Sequence, residues 1–326
     1  MKKVFVFTLC LLQSLLLFGA TKTAKYESDQ YDIFLKYNDV VVPGDAVFVR
    51  MRIATPKTLK LPKEDLEKEA KLQLIKNDKV IEKGSFCTLS KTNKQNTVDL
   101  LCGLPVSMYQ GDGEYSLKVI FSPYKDEYQE FNLPMTFESK KFVEEVVELD
   151  AQNTAIKTNH STKRSNQINK LNEILYTTNM EGIYSLGPFV KPTNCTRITS
   201  TFGDRRIYQY SNGHKSYGNP HNGIDYGVPE GTEVHSCAAG KVVMAEERIS
   251  TGWSIVIEHL PGLYSLYYHL SSMNVKEGDM VEAGDLIGLS GKTGLATGPH
   301  LHWEMRLNAV AINPEFFVND FAFEGK

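Results

Sequence analysis

The chain has 326 residues, 41% hydrophobic and 23% charged, with 36 Lys+Arg against 39 Asp+Glu for a formal net charge of −3. This composition fits roughly two globular domains and excludes a mostly disordered chain, a collagen and a multi-span membrane protein. With no basic surplus, nucleic acid is excluded as the expected partner.

Residues 1–20 read MKKVFVFTLCLLQSLLLFGA: two lysines, an apolar run from Val4 to Phe18, then Gly19 and Ala20. Charged, apolar and small segments in that order predict a secretory signal peptide cleaved near Ala20. The run is about 15 residues, short of the ~20 that span a bilayer comfortably, so no stable membrane span is expected after cleavage. The expected location is outside the cytoplasm, with the periplasm favoured over the cell wall or the medium. Cys87, Cys102, Cys195 and Cys237 follow the leader. An even count in an exported chain permits disulfides, and proximity in sequence favours 87–102 and 195–237.

Residues 26–140 read as an all-β module. Val47, Val49, Met51 and Ile53 alternate along one face of a strand, Tyr115, Leu117, Val119 and Phe121 along another, and Val98, Leu100 and Cys102 along a third. Turn clusters such as Pro43-Gly44-Asp45 and Gly111-Asp112-Gly113 separate such runs. Period-2 alternation between turn signals predicts half-buried strands, here in an immunoglobulin-like sandwich. The module holds no histidine, and it reads as a structural or docking domain for an envelope protein partner.

Residues 141–187 are polar and read as a linker. Ile168, Leu171, Ile174 and Leu175 fall at helical spacing and predict a helix over 161–177 whose apolar stripe packs on a neighbour or masks a groove. From 188 to 326 short strands return between closely spaced glycines, among them 241–245, 254–258, 263–268, 286–289 and 300–306, the pattern of a compact β domain.

Seven of the eight histidines lie between 214 and 302. On a strand through 300–306, His300, His302 and Glu304 share one face while Leu301, Trp303 and Met305 turn to the core. His221 and Asp225 are four apart in HNGIDYG, a strand-turn context that lets both face one pocket. Two imidazoles and one carboxylate make a three-ligand zinc set with a position left open for water, and two further histidines remain for proton transfer and oxyanion stabilisation. The zinc-deaminase H-x-E/P-C-x-x-C pattern and the H-E-x-x-H helix are absent. His160, His214, His235 and His259 read as structural or solvent-facing, and one of Arg205 and Arg206 as a groove residue.

The segments ITSTFGDRR (198–206), PHNGIDYGVPEGTEV (220–234), AAGKVV (238–243), GLYSLYYHL (262–270), VKEGDMVEAGDLIGLSGKTGLATGPHLHWEMR (275–306) and INPEFF (312–317) together resemble the LytM/lysostaphin-type zinc metallopeptidases that cut peptidoglycan peptides. The resemblance covers most of 190–320. It implies a small antiparallel β domain with one Zn2+ per chain, held by His221, Asp225 and His302 at the floor of a groove. It implies His269 and His300 as catalytic histidines, 207–219 as a variable groove wall, and peptidoglycan cross-links or stem peptides as substrate. The alternative is a catalytically inactive LytM-like docking protein or activator of another cell-wall hydrolase. Zinc content separates the two.

Overall fold

In the computed structural model, the described residues are 21–28, 31–55, 70–92, 96–122 and 129–320. The signal segment read at 1–20 lies outside them. The chain divides into two units, Met1–Lys140 and Lys141–Lys326.

The first unit turns apolar alternation into two packed sheets. Its strands are β1 (Thr21–Glu27), β2 (Asp32–Asn38), β3 (Val40–Val41), β4 (Ala46–Ala54), β5 (Lys71–Lys76), β6 (Lys79–Ser85), β7 (Cys87–Thr92), β8 (Thr97–Pro105), β9 (Tyr115–Phe121) and β10 (Gln129–Phe137). They form sheets in the orders β1-β2-β4-β8-β7 and β3-β10-β9-β5-β6. Val49, Met51 and Ile53 of one sheet and Leu72, Leu117 and Val119 of the other join one core. Each such fully buried side chain contributes ~1.5–3 kcal/mol.

The expected disulfides are absent: none of Cys87, Cys102, Cys195 and Cys237 is joined in a disulfide. Cys87 is the register partner of Leu101, one residue out of step with Cys102. Side chains one residue apart on a strand point to opposite faces, so the two sulfurs sit on opposite sides of the sheet. In the second unit, Cys195 Sγ lies against the carbonyls of Arg197 and Gly227, whereas Cys237 Sγ lies 3.7 Å from His259 Nε2 in the buried core.

The second unit is mainly β as well. Its elements are β11 (Glu144–Glu148), α1 (Ala151–Lys157), α2 (Thr162–Tyr176), β12 (Ile198–Ser200), β13 (Arg205–Gln209), β14 (Lys215–Tyr217), β15 (Gly223–Tyr226), β16 (Glu233–His235), β17 (Gly240–Arg248), β18 (Gly252–Leu260), β19 (Leu263–Met273), β20 (Met280–Val281), β21 (Leu286–Ser290), β22 (Leu301–Leu307) and β23 (Val310–Ile312). The main sheet runs β12-β15-β22-β19-β18-β17-β20, and its pairings are antiparallel.

The polar stretch 141–187 is built into this unit. β11 pairs in parallel with β13. Asp150 caps α1, accepting from the Asn153 amide at 2.7 Å, and Ser161 caps α2, accepting from the Arg164 amide at 3.3 Å. The apolar stripe of α2 packs rather than masks: Leu171, Ile174 and Leu175 lie against Met244, Val256, Tyr264, Leu266 and Tyr268. These last two are the register partners of Glu304 and His302. Helix α2 therefore lies on the same sheet face that carries the histidines, while Leu301, Trp303 and Met305 are wholly buried on the other.

Candidate metal centre

Two adjacent strands set the centre. Asp225 on β15 pairs directly with His302 on β22, so their side chains rise from the same face. Asp225 Oδ1 lies 2.8 Å from His302 Nδ1 and 3.1 Å from His221 Nε2, and the two ring nitrogens are 2.9 Å apart. One donor atom from each of the three falls within 4.8 Å of the others, and all three residues are buried. Gly223 makes room for this approach, since a Cβ there would stand 2.3 Å from the Trp303 carbonyl and 2.9 Å from the His302 ring.

Each ligand is held from behind. His221 Nδ1 faces the Thr201 carbonyl at 3.0 Å and Ser200 Oγ at 3.2 Å, which leaves Nε2 for a metal. His302 Nε2 faces Glu304 Oε2 at 3.1 Å, a carboxylate–histidine pair of the kind that orients metal-bound imidazoles. Arg206 Nη2 donates to Asp225 Oδ2 at 2.8 Å and to Ser200 Oγ at 2.9 Å, and Arg206 Nε to Glu145 Oε2 at 3.3 Å. Of the two arginines considered, Arg206 is thus the one in the site; Arg205 lies over the Phe142 ring at 4.7 Å.

The electrostatics favour a cation. Burial works against the Asp225 carboxylate, yet the His221 and His302 rings hold it well below the usual range. Burial pushes the His221 ring towards its neutral form. Burial opposes charge on His302 as well, but hydrogen bonds to Asp225 and Glu304 prevail and raise it to about 9. Two carboxylates thus draw positive charge to the point where the three donor atoms meet. Two imidazole nitrogens and one carboxylate oxygen in a buried cluster fit a zinc ion that keeps an open position.

His269 and His300 stand beside this cluster. Their rings are 4.6 Å apart, and the His269 ring is 6.2 Å from that of His302. His269 Nδ1 lies 2.8 Å from the Thr293 carbonyl, and His300 Nδ1 lies 2.9 Å from the Gly298 carbonyl. Each carbonyl requires an N–H on Nδ1, so each Nε2 keeps a lone pair. Burial, with His300 and His302 close by, pushes His269 down to about 3.

The backbone at His269 takes φ 61°, a left-handed conformation that costs a non-glycine residue ~1–3 kcal/mol. Regular alternation would send Tyr268 and His269 to opposite faces. Here Tyr268 stacks on His302 with centroids at 5.2 Å, and His269 still reaches the same site.

All five predicted side chains are therefore brought together. His160 and His214 are exposed, and His235 is half-buried near Glu233. His259 is wholly buried, with Nδ1 at 2.8 Å from the Ala239 carbonyl and Nε2 at 2.7 Å from Ser265 Oγ. Glu304, Ser200 and Glu145 were not anticipated as site residues. Glu304 carried a signal, since it shares the strand face of His300 and His302.

Residues 219–314 match the family model for Peptidase family M23. The chain carries an M23 peptidase domain. All five clustered side chains lie within the matched M23 residues. The chain is 38% identical over 125 residues to the DD-carboxypeptidase/endopeptidase Mpg of Neisseria meningitidis, covering 38% of this chain and 28% of the relative. It is 41% identical over 117 residues to the peptidoglycan DD-endopeptidase ShyA of Vibrio cholerae, covering 36% of this chain and 26% of that protein. A Buchnera aphidicola metalloprotease is 41% identical over 128 residues, 39% of this chain and 32% of its own length. These matches span between a quarter and a third of those relatives. The crystal structure of a Pseudomonas aeruginosa protein described as a peptidase M23 shares the fold, with a TM-score of 0.53 at 20% identity over 86% of this chain and 95% of that one.

Proposed function

We propose that the protein is a zinc-dependent endopeptidase that hydrolyses peptide cross-links or stem peptides of bacterial peptidoglycan. The observation that carries this reading is the meeting of His221, Asp225 and His302 donor atoms beside two imidazoles whose Nε2 atoms are free to take a proton. Relatives named as a DD-carboxypeptidase/endopeptidase, a peptidoglycan DD-endopeptidase and a metalloprotease support the substrate and the metal. Residues 1–20 support export, with the periplasm as the site of action, and the N-terminal sandwich reads as the part that docks an envelope partner.

His221 Nε2, one Asp225 oxygen and His302 Nδ1 would hold the zinc. When bound, the ion would polarise the scissile carbonyl and make a water acidic near neutral pH. Glu304 and the Thr201 carbonyl fix the ring planes of the two histidine ligands. Arg206 neutralises the outer oxygen of Asp225 and leaves the inner one to the metal. His269, whose Nδ1 is engaged by the Thr293 carbonyl, accepts the proton of the attacking water at Nε2 and returns it to the leaving amine. His300, 4.6 Å from His269 between ring centroids and less buried, presents the same lone pair at Nε2 and, once it has taken a proton there, donates that N–H toward the oxygen that gains charge.

The test is digestion of purified cross-linked peptidoglycan by residues 21–326 with one equivalent of zinc. New peptide termini that vanish with a chelator support the reading. A zinc-free protein that cleaves nothing would favour the docking protein or hydrolase activator.

A further inference from the structure

The segment 141–187 does more than cover the sheet: it brings two cations into the groove of the metal centre. A cavity of about 220 Å³ runs from His221, His269 and His302 to Lys157 at the end of α1 and Arg164 in the first turn of α2. Helix α1 is tied to both walls of this groove. Asn153 Nδ2 donates to the Ala296 carbonyl at 3.3 Å on one side, and Thr154 Oγ1 accepts from the Ser211 amide at 3.0 Å on the other. The two cations are therefore held in place by the fold.

Neither cation is neutralised. Among the described residues, no carboxylate pairs with Lys157 or Arg164. Lys157 Nζ lies over the Tyr208 ring, 3.8 Å from its centroid. Arg164 Nε donates to Ser250 Oγ at 3.0 Å and its Nη1 to the Asn159 carbonyl at 2.9 Å, both uncharged partners. The third groove cation, Arg206, is already committed to Asp225 and Glu145. The groove carboxylate Glu304 is equally committed, to His302 and Arg306. Burial and the nearby Arg164 and Arg206 make it harder for Lys157 to keep its proton, with Tyr210 acting the other way. Two cations gathered in a half-buried groove without a counter-ion are unfavourable until an anion arrives, and a carboxylate bound there gains charge-assisted hydrogen bonds.

We propose that Lys157 and Arg164 form a subsite for a free carboxylate of the peptide, so that the groove selects stem peptides with an ionised carboxylate beside the scissile bond over amidated ones. This rests on the reading of the groove as a peptide site. Both are positioning residues: they hold the substrate and take no part in bond cleavage. They lie outside residues 219–314, so this selectivity belongs to the added helical segment rather than to the matched domain.

The experiment compares a D-alanyl-terminated stem tetrapeptide with the same peptide amidated at its carboxylates. Binding to residues 21–326 without added metal is followed by titration calorimetry. The acid should bind at least tenfold more tightly than the amide, and salt should narrow the difference. Lys157→Gln with Arg164→Gln should abolish the preference, and Lys157→Arg should keep it. Arg164→Gln alone should narrow it, and thermal melts check that each variant is folded. Equal binding of acid and amide by the wild-type chain, or a preference that survives in the double variant, would overturn the subsite. Cleavage of matched cross-linked muropeptides by zinc-loaded protein separates the two claims. Acid preference without cleavage of either muropeptide removes the endopeptidase and leaves the subsite, whereas cleavage without preference does the reverse.

Discussion

Asp225 and His302 sit opposite one another in the β15–β22 ladder, and their facing atoms are 2.8 Å apart. The register of two strands thus fixes the carboxylate and the imidazole that would share a metal. Glu304, two residues on, holds the far nitrogen of the same ring. His302→Ala should abolish zinc binding, and Glu304→Gln should weaken it about 10–100-fold while leaving the fold intact. Competition with a chelating dye measures both; unchanged affinity in Glu304→Gln would mean the carboxylate does not orient the ligand.

His269 contributes no donor atom to the three-residue cluster. His269→Ala should keep a full complement of zinc and lose turnover about 10²–10⁴-fold. Parallel metal analysis and rate measurement on that variant check this. A near-normal rate would remove the proton-transfer role, and loss of zinc would make His269 part of the metal site.

Stability should fall in mild acid, and His259 gives the sign. Burial pushes its folded-state pKa down to about 4, from 6.5 in the open chain. Between those values the unfolded chain takes up a proton that the folded core refuses. The stabilisation is complete above about pH 6.5 and is lost as the pH falls towards 4, at most about 3 kcal/mol. Urea midpoints from pH 7 to 4.5 should decline in the wild type and less steeply in His259→Gln. Equal slopes would show that this histidine does not drive the effect.

The helix α2 should be an integral part of the peptidase unit. Leu175 is 3% exposed against Met244, Val256 and Leu266, so Leu175→Ala should cost about 2–5 kcal/mol. A 188–326 fragment also loses β11 from its pairing with β13 and should melt well below the 21–326 chain. Equal melting temperatures would mean that residues 141–187 are only a tether.

How much of this was legible depended on whether a pattern was local. Val47, Val49, Met51 and Ile53 alternate within one strand, and the strand is there with that face buried. His300-Leu301-His302 likewise shows its geometry within three residues. Helix α1 is only seven residues long, too short for an apolar period, and β11 is a polar strand whose partner lies some sixty residues away. Composition alone therefore read 141–187 as a linker. The place of His269 needed a left-handed backbone that alternation forbids. The disulfide expectation failed at register, because Cys87 pairs with Leu101 and not with Cys102. Arg206 was legible only as one of two adjacent arginines, since its contact with Asp225 depends on how β13 lies against the site.

The most direct test is metal content and cross-link cleavage measured on one sample of residues 21–326, beside Asp225→Asn. About one zinc per chain, with cleavage of cross-linked muropeptides that disappears with a chelator and in the variant, is the predicted result. A wild-type chain that binds no zinc, or that cleaves equally well in Asp225→Asn, would contradict the account.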